Sequence, residues 1–195
     1  MDFNENYILQ DEKVLLRPLQ SDDYDLLVSY ALNEPDTWKY SVAELNGAEG
    51  MREYIDEALL QRKEQSSYPF IVYDKITNKF IGSTRFYDIQ LKHNTTQLGY
   101  TWYSEKFRGT GINKHCKYLL LNFAFETLGF ERVEFRADVR NDLSIAAMKS
   151  IGCTVEGILR QSLALPNGNR RDSIVLSILK SEWESGLKTS LQERL

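Results

Sequence analysis

The feature that most narrows the fold is the stretch from Leu98 to Leu128. Leu98-Gly-Tyr-Thr-Trp-Tyr103 is rich in aromatic and β-branched residues and predicts a strand, whereas Tyr118, Leu119, Leu121, Phe123, Phe125 and Leu128 predict the apolar part of a helix. Between them Gly109 and Gly111 bracket Thr110, so the backbone can turn tightly with no Cβ in the way. Strand, glycine turn and helix in this order can aim consecutive free amides, and the positive end of the helix dipole, at one spot that attracts phosphate. Taken alone, the pattern also describes a turn that merely connects two elements. No Gly-Lys-Ser/Thr follows and a third glycine is missing, which excludes a P-loop and a dinucleotide fingerprint.

The flanking sequence supplies the rest of an α/β domain. Lys13 to Arg17 predicts a first strand, and Ser21 a cap for a helix through Leu26, Leu27 and Tyr30. A second helix is expected from about Gly47 or Ala48 to Gln65, then two antiparallel strands, Phe70 to Tyr73 and Phe80 to Asp88. Arg132 to Val139 alternates apolar with charged residues as a half-buried strand does, so it should lie parallel to the Leu98 strand through a right-handed helical crossover. Asn141-Asp-Leu-Ser144 reads as the start of a short helix that Gly152 ends. Val155 to Leu165 and Arg171 to Leu179 form a hairpin around Pro166-Asn-Gly-Asn169, before a charged tail helix from about Lys180.

At 195 residues, with no repeat or linker evident, one domain spanning 1–195 is expected. A net charge of −4 carries no basic nucleic-acid footprint. No run approaches the roughly 20 apolar residues of a membrane span, and the first residues lack the pattern of a signal peptide, so no membrane contact and a cytoplasmic location are expected. Cys116 and Cys153 read as buried reduced thiols, and His93 and His115 as surface residues, leaving no metal centre to expect. Arg85 and Arg160 read as surface ion partners.

The succession Arg108-Gly-Thr-Gly-Ile-Asn113, Asn141-Asp-Leu-Ser144, Gly152, Glu156-Gly-Ile-Leu-Arg160, Arg171-Asp172 and Ser177 to Trp183 resembles the GNAT superfamily of N-acetyltransferases, and within it the ribosomal-protein N-terminal acetyltransferase branch. The resemblance implies a mixed sheet of about seven strands, helices on both faces, and a V-shaped splay between the two parallel strands that admits acetyl-CoA. It implies a cofactor-binding core at about 98–183 and an acceptor-side half at about 13–97. The pantetheine arm would pair with the backbone near Trp102 and Tyr103. The pyrophosphate would sit on the amides of Arg108, Gly109, Thr110, Gly111, Ile112 and Asn113, where the family usually has Gly or Ala instead of Asn113. Dimers are common in the branch, so a homodimer stays open.

Acetyl transfer needs a neutral amine, a polarised carbonyl and a proton for the departing thiolate. The family often places a Glu where this chain has Gln97, and a Tyr acid where it has Met148, so both usual proton-handling groups are missing. That absence favours an α-amine, whose release from its proton at pH 7 costs about 1 kcal/mol against about 4.6 kcal/mol for lysine. By the same resemblance Asn141 would orient the arm or a water and Ser144 would hydrogen-bond the thiolate, although the pair is also a plain helix start. Trp38, Tyr40 and Phe86, with Tyr73 and Tyr87, are candidate walls of the acceptor pocket. A protein or peptide N-terminus is the expected acceptor; a small amine such as a polyamine, aminoglycoside or amino acid, or a weak CoA-binding module, are the alternatives.

Overall fold

A computed structural model describes residues 1–41, 45, 47–165 and 168–195. Pro166 and Asn167 of the expected hairpin turn lie outside the described residues. The sheet has eight strands in the order β1 (Leu9–Gln10), β2 (Val14–Pro18), β3 (Ser67–Asp74), β4 (Lys79–Gln90), β5 (Thr95–Tyr103), β6 (Arg132–Asp138), β8 (Arg170–Leu179) and β7 (Thr154–Ala164). The strand beyond the expected seven is the two-residue β1, too short to carry a periodic signal. Every neighbouring pair is antiparallel except β5 with β6. That parallel pair is joined by helix α3 (Ile112–Asn122) and its wider continuation Phe123–Thr127.

Helices cover both faces. Helices α1 (Tyr24–Asn33) and α2 (Gly47–Lys63) bury Leu27, Ala31, Met51, Tyr54, Ile55 and Ala58 against Ile71 and Trp102 on one side. On the other, Ile112, Cys116, Leu120 and Leu121 of α3, with Met148 and Ile151 at the end of helix α4 (Asp142–Ser150), pack on Phe70, Val72, Val133 and Phe135. The odd and even residues of β3 thereby serve opposite cores, as the period of two requires. The first helix begins differently from expectation. Ser21 does not cap it; Ser21–Asp23 is a separate 3₁₀ turn, held by the Asp23 carboxylate accepting from the Gln20 amide (2.8 Å) and from Arg17. Cys116 and Cys153 are free and buried, as expected, whereas His115 is not at the surface. It is buried, with Nδ1 2.8 Å from Asp11, and ties the N-terminal segment to α3.

Candidate active site

The loop between β5 and α3 is built from both ends. After Tyr103, the Glu34 carboxylate accepts from the Ser104 hydroxyl and the Glu105 amide, each at 2.8 Å, and starts a 3₁₀ turn at Glu105–Phe107. Arg108 then reaches back to the Tyr103 carbonyl (3.3 Å) and to Thr37 Oγ1 (2.7 Å). Gly109 and Gly111 have φ of 74° and 89°, the left-handed conformation that glycine tolerates, and Gly111 caps α3. The Thr110 hydroxyl donates to the Phe107 carbonyl (2.7 Å), and Lys13 Nζ to the Thr110 carbonyl (2.8 Å). The bonds inside α3 start only with Lys114, whose amide donates to the Gly111 carbonyl (2.9 Å). Among the described residues, the amides of Gly109 to Asn113 have no hydrogen-bond partner. Five consecutive free donors at a helix start, beside Lys13 and Arg108, make an anion cradle.

The strand leading to this cradle separates from its neighbour. β5 pairs with β6 only at Thr95↔Arg132, Thr96↔Val133 and Gln97↔Glu134, although β5 runs on to Tyr103 and β6 to Asp138. The wedge opens where β5 carries a bulge: Ser83↔Trp102 is followed by Arg85↔Gly99, so Tyr100 and Thr101 together face Thr84 alone. Tyr100 has φ 48°, unusual for a residue with a side chain. The Ser104 amide donates to Ile81 of β4 (2.9 Å), so by alternation the amide of Tyr103 faces the wedge. Lys117 underlies the opening from α3, its Nζ 2.8 Å from Thr101 Oγ1 and 5.7 Å from the Phe135 ring centroid. Burial pulls this ammonium down to about 8.

The other expected site residues divide sharply. Asn141 Oδ1 accepts from the Ser144 amide (3.1 Å) as a helix cap, while the half-buried Ser144 hydroxyl makes no hydrogen bond among the described residues. Gln97 is locked by its Nε2 donating to Asp88 (2.7 Å), and Met148 is core. The Trp102 ring packs on Trp38 at 5.2 Å between centroids, so both indoles belong to the α1/α2 core. Tyr103 is buried with its hydroxyl 3.3 Å from Asn113 Oδ1, and Ile112 is buried beneath the loop. Phe86 has no exposed surface and packs on Phe70 in the opposite core, which removes it as a pocket wall. Tyr40 stays partly exposed. Arg85 overturns its expectation: it is fully buried, its guanidinium 3.6 Å from the Tyr100 ring centroid, and among the described residues only Nη1 finds an acceptor, Gln61 at 3.1 Å. Glu34, Lys13 and Lys117 were not legible as site residues, because their contacts join segments far apart in sequence.

Residues 13–154 match a family model described as an acetyltransferase (GNAT) domain. Over 150 residues the chain is 31% identical to the "Putative ribosomal N-acetyltransferase YdaF" of Bacillus subtilis (strain 168), covering 77% of this chain and 68% of that protein. Its fold is shared with a GCN5-related N-acetyltransferase from Brucella melitensis (TM-score 0.88, 24% identity, 97% of this chain and 85% of that one). It is shared also with the microcin C7 self immunity acetyltransferase MccE, whose structure is a complex with acetyl-CoA and AMP (TM-score 0.77, 20% identity, 87% and 93%). With the family match reaching from the second strand through the anion cradle to the start of β7, the chain belongs to the GNAT family and is an N-acetyltransferase.

Proposed function

We propose that the protein transfers an acetyl group from acetyl-CoA to the α-amine of a protein or peptide N-terminus. The observation that carries this reading is the run of free amides from Gly109 to Asn113 at the end of a strand that parts from its parallel neighbour. The cradle fits a diphosphate: five donors, the Lys13 and Arg108 cations and the helix dipole all favour negative charge. The backbone of Trp102 and Tyr103 offers an edge for the amides of the pantetheine arm, with the Trp102 indole anchoring that strand in the core.

Acetyl-CoA supplies a thioester already activated toward amines. The chain's own part is placement. The Ser144 hydroxyl, which has no partner among the described residues, donates to the departing sulfur, and the Asn141 amide group orients the arm beside it. Tyr40, partly exposed like Tyr73 and Tyr87 of the expected aromatic set, borders the acceptor entrance, with the buried Trp38 behind it as support. With Gln97 tied to Asp88 and Met148 in the core, neither position moves a proton. An acceptor that sheds its proton near neutral pH suits such a site, and an α-amine does so far more cheaply than a lysine.

The test is release of free CoA thiol from acetyl-CoA against a panel of peptides with free and blocked N-termini, lysine-containing peptides with blocked N-termini, and small amines. Turnover confined to free α-amines is expected. Acetyl-CoA binding without acceleration by any amine would leave a cofactor-binding module in place of an enzyme, and a preference for blocked peptides carrying lysine would refute the acceptor assignment.

A further inference from the structure

The part of the sheet face that α1 and α2 leave open holds a buried cation with no hydrogen-bond partner among the described residues. Arg171, at the start of β8, is only 8% exposed, yet among the described residues its guanidinium makes no hydrogen bond and no ion pair, and its Nε is sealed from water without an acceptor. The acid whose charge reaches Arg171 is Asp138, but its carboxylate takes its two bonds from the Arg140 guanidinium instead, at 2.8 and 2.6 Å. A desolvated guanidinium left this way is costly, and proteins retain one where an anion completes it.

Where Arg171 acts identifies the place. β8 is separated from β5 by β6, and Arg171 lies beyond the last residue of β6, which pairs as Asp138↔Ser173. Alternation nevertheless puts Arg171 on the same face as Tyr87 and Tyr100, since Ile174 and Leu176 of β8 and Phe86 of β4 point into the α3 core while Tyr100 packs on the opposite one. Its charge reaches both hydroxyls across the wedge, and their rings meet edge to face at 5.1 Å. Arg85, 3.6 Å from the Tyr100 ring centroid, adds a second buried cation that among the described residues pairs with no carboxylate. Both cations thus lie on the face away from α3, within reach of the bulge at Tyr100 where the wedge opens.

Resting on the transferase reading above, we propose that Arg171 determines acceptor specificity by binding a carboxylate carried close to the acceptor amine. The shared chemistry is an α-amine with a carboxylate beside it, from either of two sources: the side chain of an N-terminal Asp or Glu in a peptide, or the α-carboxylate of a free amino acid. Arg171 supplies a two-pronged donor, and Tyr87 and Tyr100 bound the site with hydroxyls whose ionisation burial suppresses, so that they stay neutral beside the anion.

The experiment compares kcat/KM for isosteric acceptors with wild type, Arg171→Lys and Arg171→Gln. Peptides beginning Asp or Glu are set against those beginning Asn or Gln, and free amino acids against their C-terminal amides. Wild type should favour the charged member of one series by roughly tenfold to a hundredfold, the yield of a charge-assisted bond. Arg171→Gln should erase that ratio while neutral acceptors keep their rate, and Arg171→Lys should restore part of it. Equal rates for charged and neutral isosteres in wild type, or equal losses for both in Arg171→Gln, would overturn the proposal. Calorimetry with acetyl-CoA on each variant verifies the cradle. A second readout follows the ¹⁵Nε resonance of Arg171, assigned by its loss in Arg171→Lys, during titration with glutarate. A saturable shift supports the anion site even if no amine is turned over, in which case the transferase reading alone fails; an unmoved resonance overturns the site itself.

Discussion

Replacing Lys117 by methionine should make this protein more stable, and the gain should fade as the pH rises. Lys117 is buried beneath the wedge, and the cost of burying its charge lowers it from an ordinary 10.5 to about 8. At neutral pH the folded protein therefore carries a desolvated ammonium, and the drop corresponds to about 3 kcal/mol of lost stability at ~1.4 kcal/mol per tenfold change in proton affinity. Methionine has a similar length and no charge, and the group left behind is not orphaned: Thr101 Oγ1 keeps Thr84 Oγ1 at 2.7 Å. The sign follows from proton counting. Between about 8 and 10.5 the unfolded chain holds the Lys117 proton more often than the folded one, so the wild-type protein gains stability as pH rises through that window, whereas the methionine variant has no such term. Urea unfolding at pH 6.5 should show Lys117→Met ahead by about 3 kcal/mol, and at pH 9.5 by roughly half as much. A variant less stable than wild type at pH 6.5, or a difference that does not change with pH, would refute the claim that a charged amine is buried there.

Other changes probe the cradle and the two cores. Gly111→Val places a β-branched residue at φ 89° with its Cβ 3.1 Å from Lys13 Nζ; it should cost about 1–2 kcal/mol of stability and abolish acetyl-CoA binding in calorimetry, with circular dichroism unchanged. Gly82→Ala should be far worse for the fold than its size implies, because the new Cβ would lie 2.1 Å from the Trp102 carbonyl oxygen, so β4 and β5 must separate; thermal melting should show a loss of ~2 kcal/mol or more. Trp183→Ala removes a fully buried ring and its 3.0 Å bond to Glu126, and urea unfolding should register about 3–5 kcal/mol.

What could be read in advance follows the range of the forces involved. The strand, glycine loop and helix around Gly109 and Gly111, the parallel crossover to Arg132 and the capped start at Asn141 all announce themselves within a few residues, through periodicity and turn chemistry. Contacts between distant segments leave no such trace. Lys13 meets Thr110 and Asp11 meets His115 across about a hundred residues, which is why His115 looks like a surface residue until β1 and β2 fold over α3. Arg85 looks like a surface cation in sequence for a related reason. Its strand neighbours Ser83 and Thr84 are polar, and only the arrival of Tyr54 from α2 and Tyr100 from β5 encloses it in aromatic rings. Phe86 and Trp38 show the reverse bias: aromatic residues near a cleft in sequence terms were simply core.

The bulge at Tyr100 works as a phase shifter. Before it Leu98 points into the α3 core; after it Trp102, an even number of residues on, points into the α1/α2 core instead. Strand length is thereby coupled to the bearing of everything downstream. Deleting Thr101 would turn Trp102 and Tyr103 inside out and swing the glycine loop half a revolution from the groove it serves, so a single codon in mid-strand governs whether the two halves of the site point the same way.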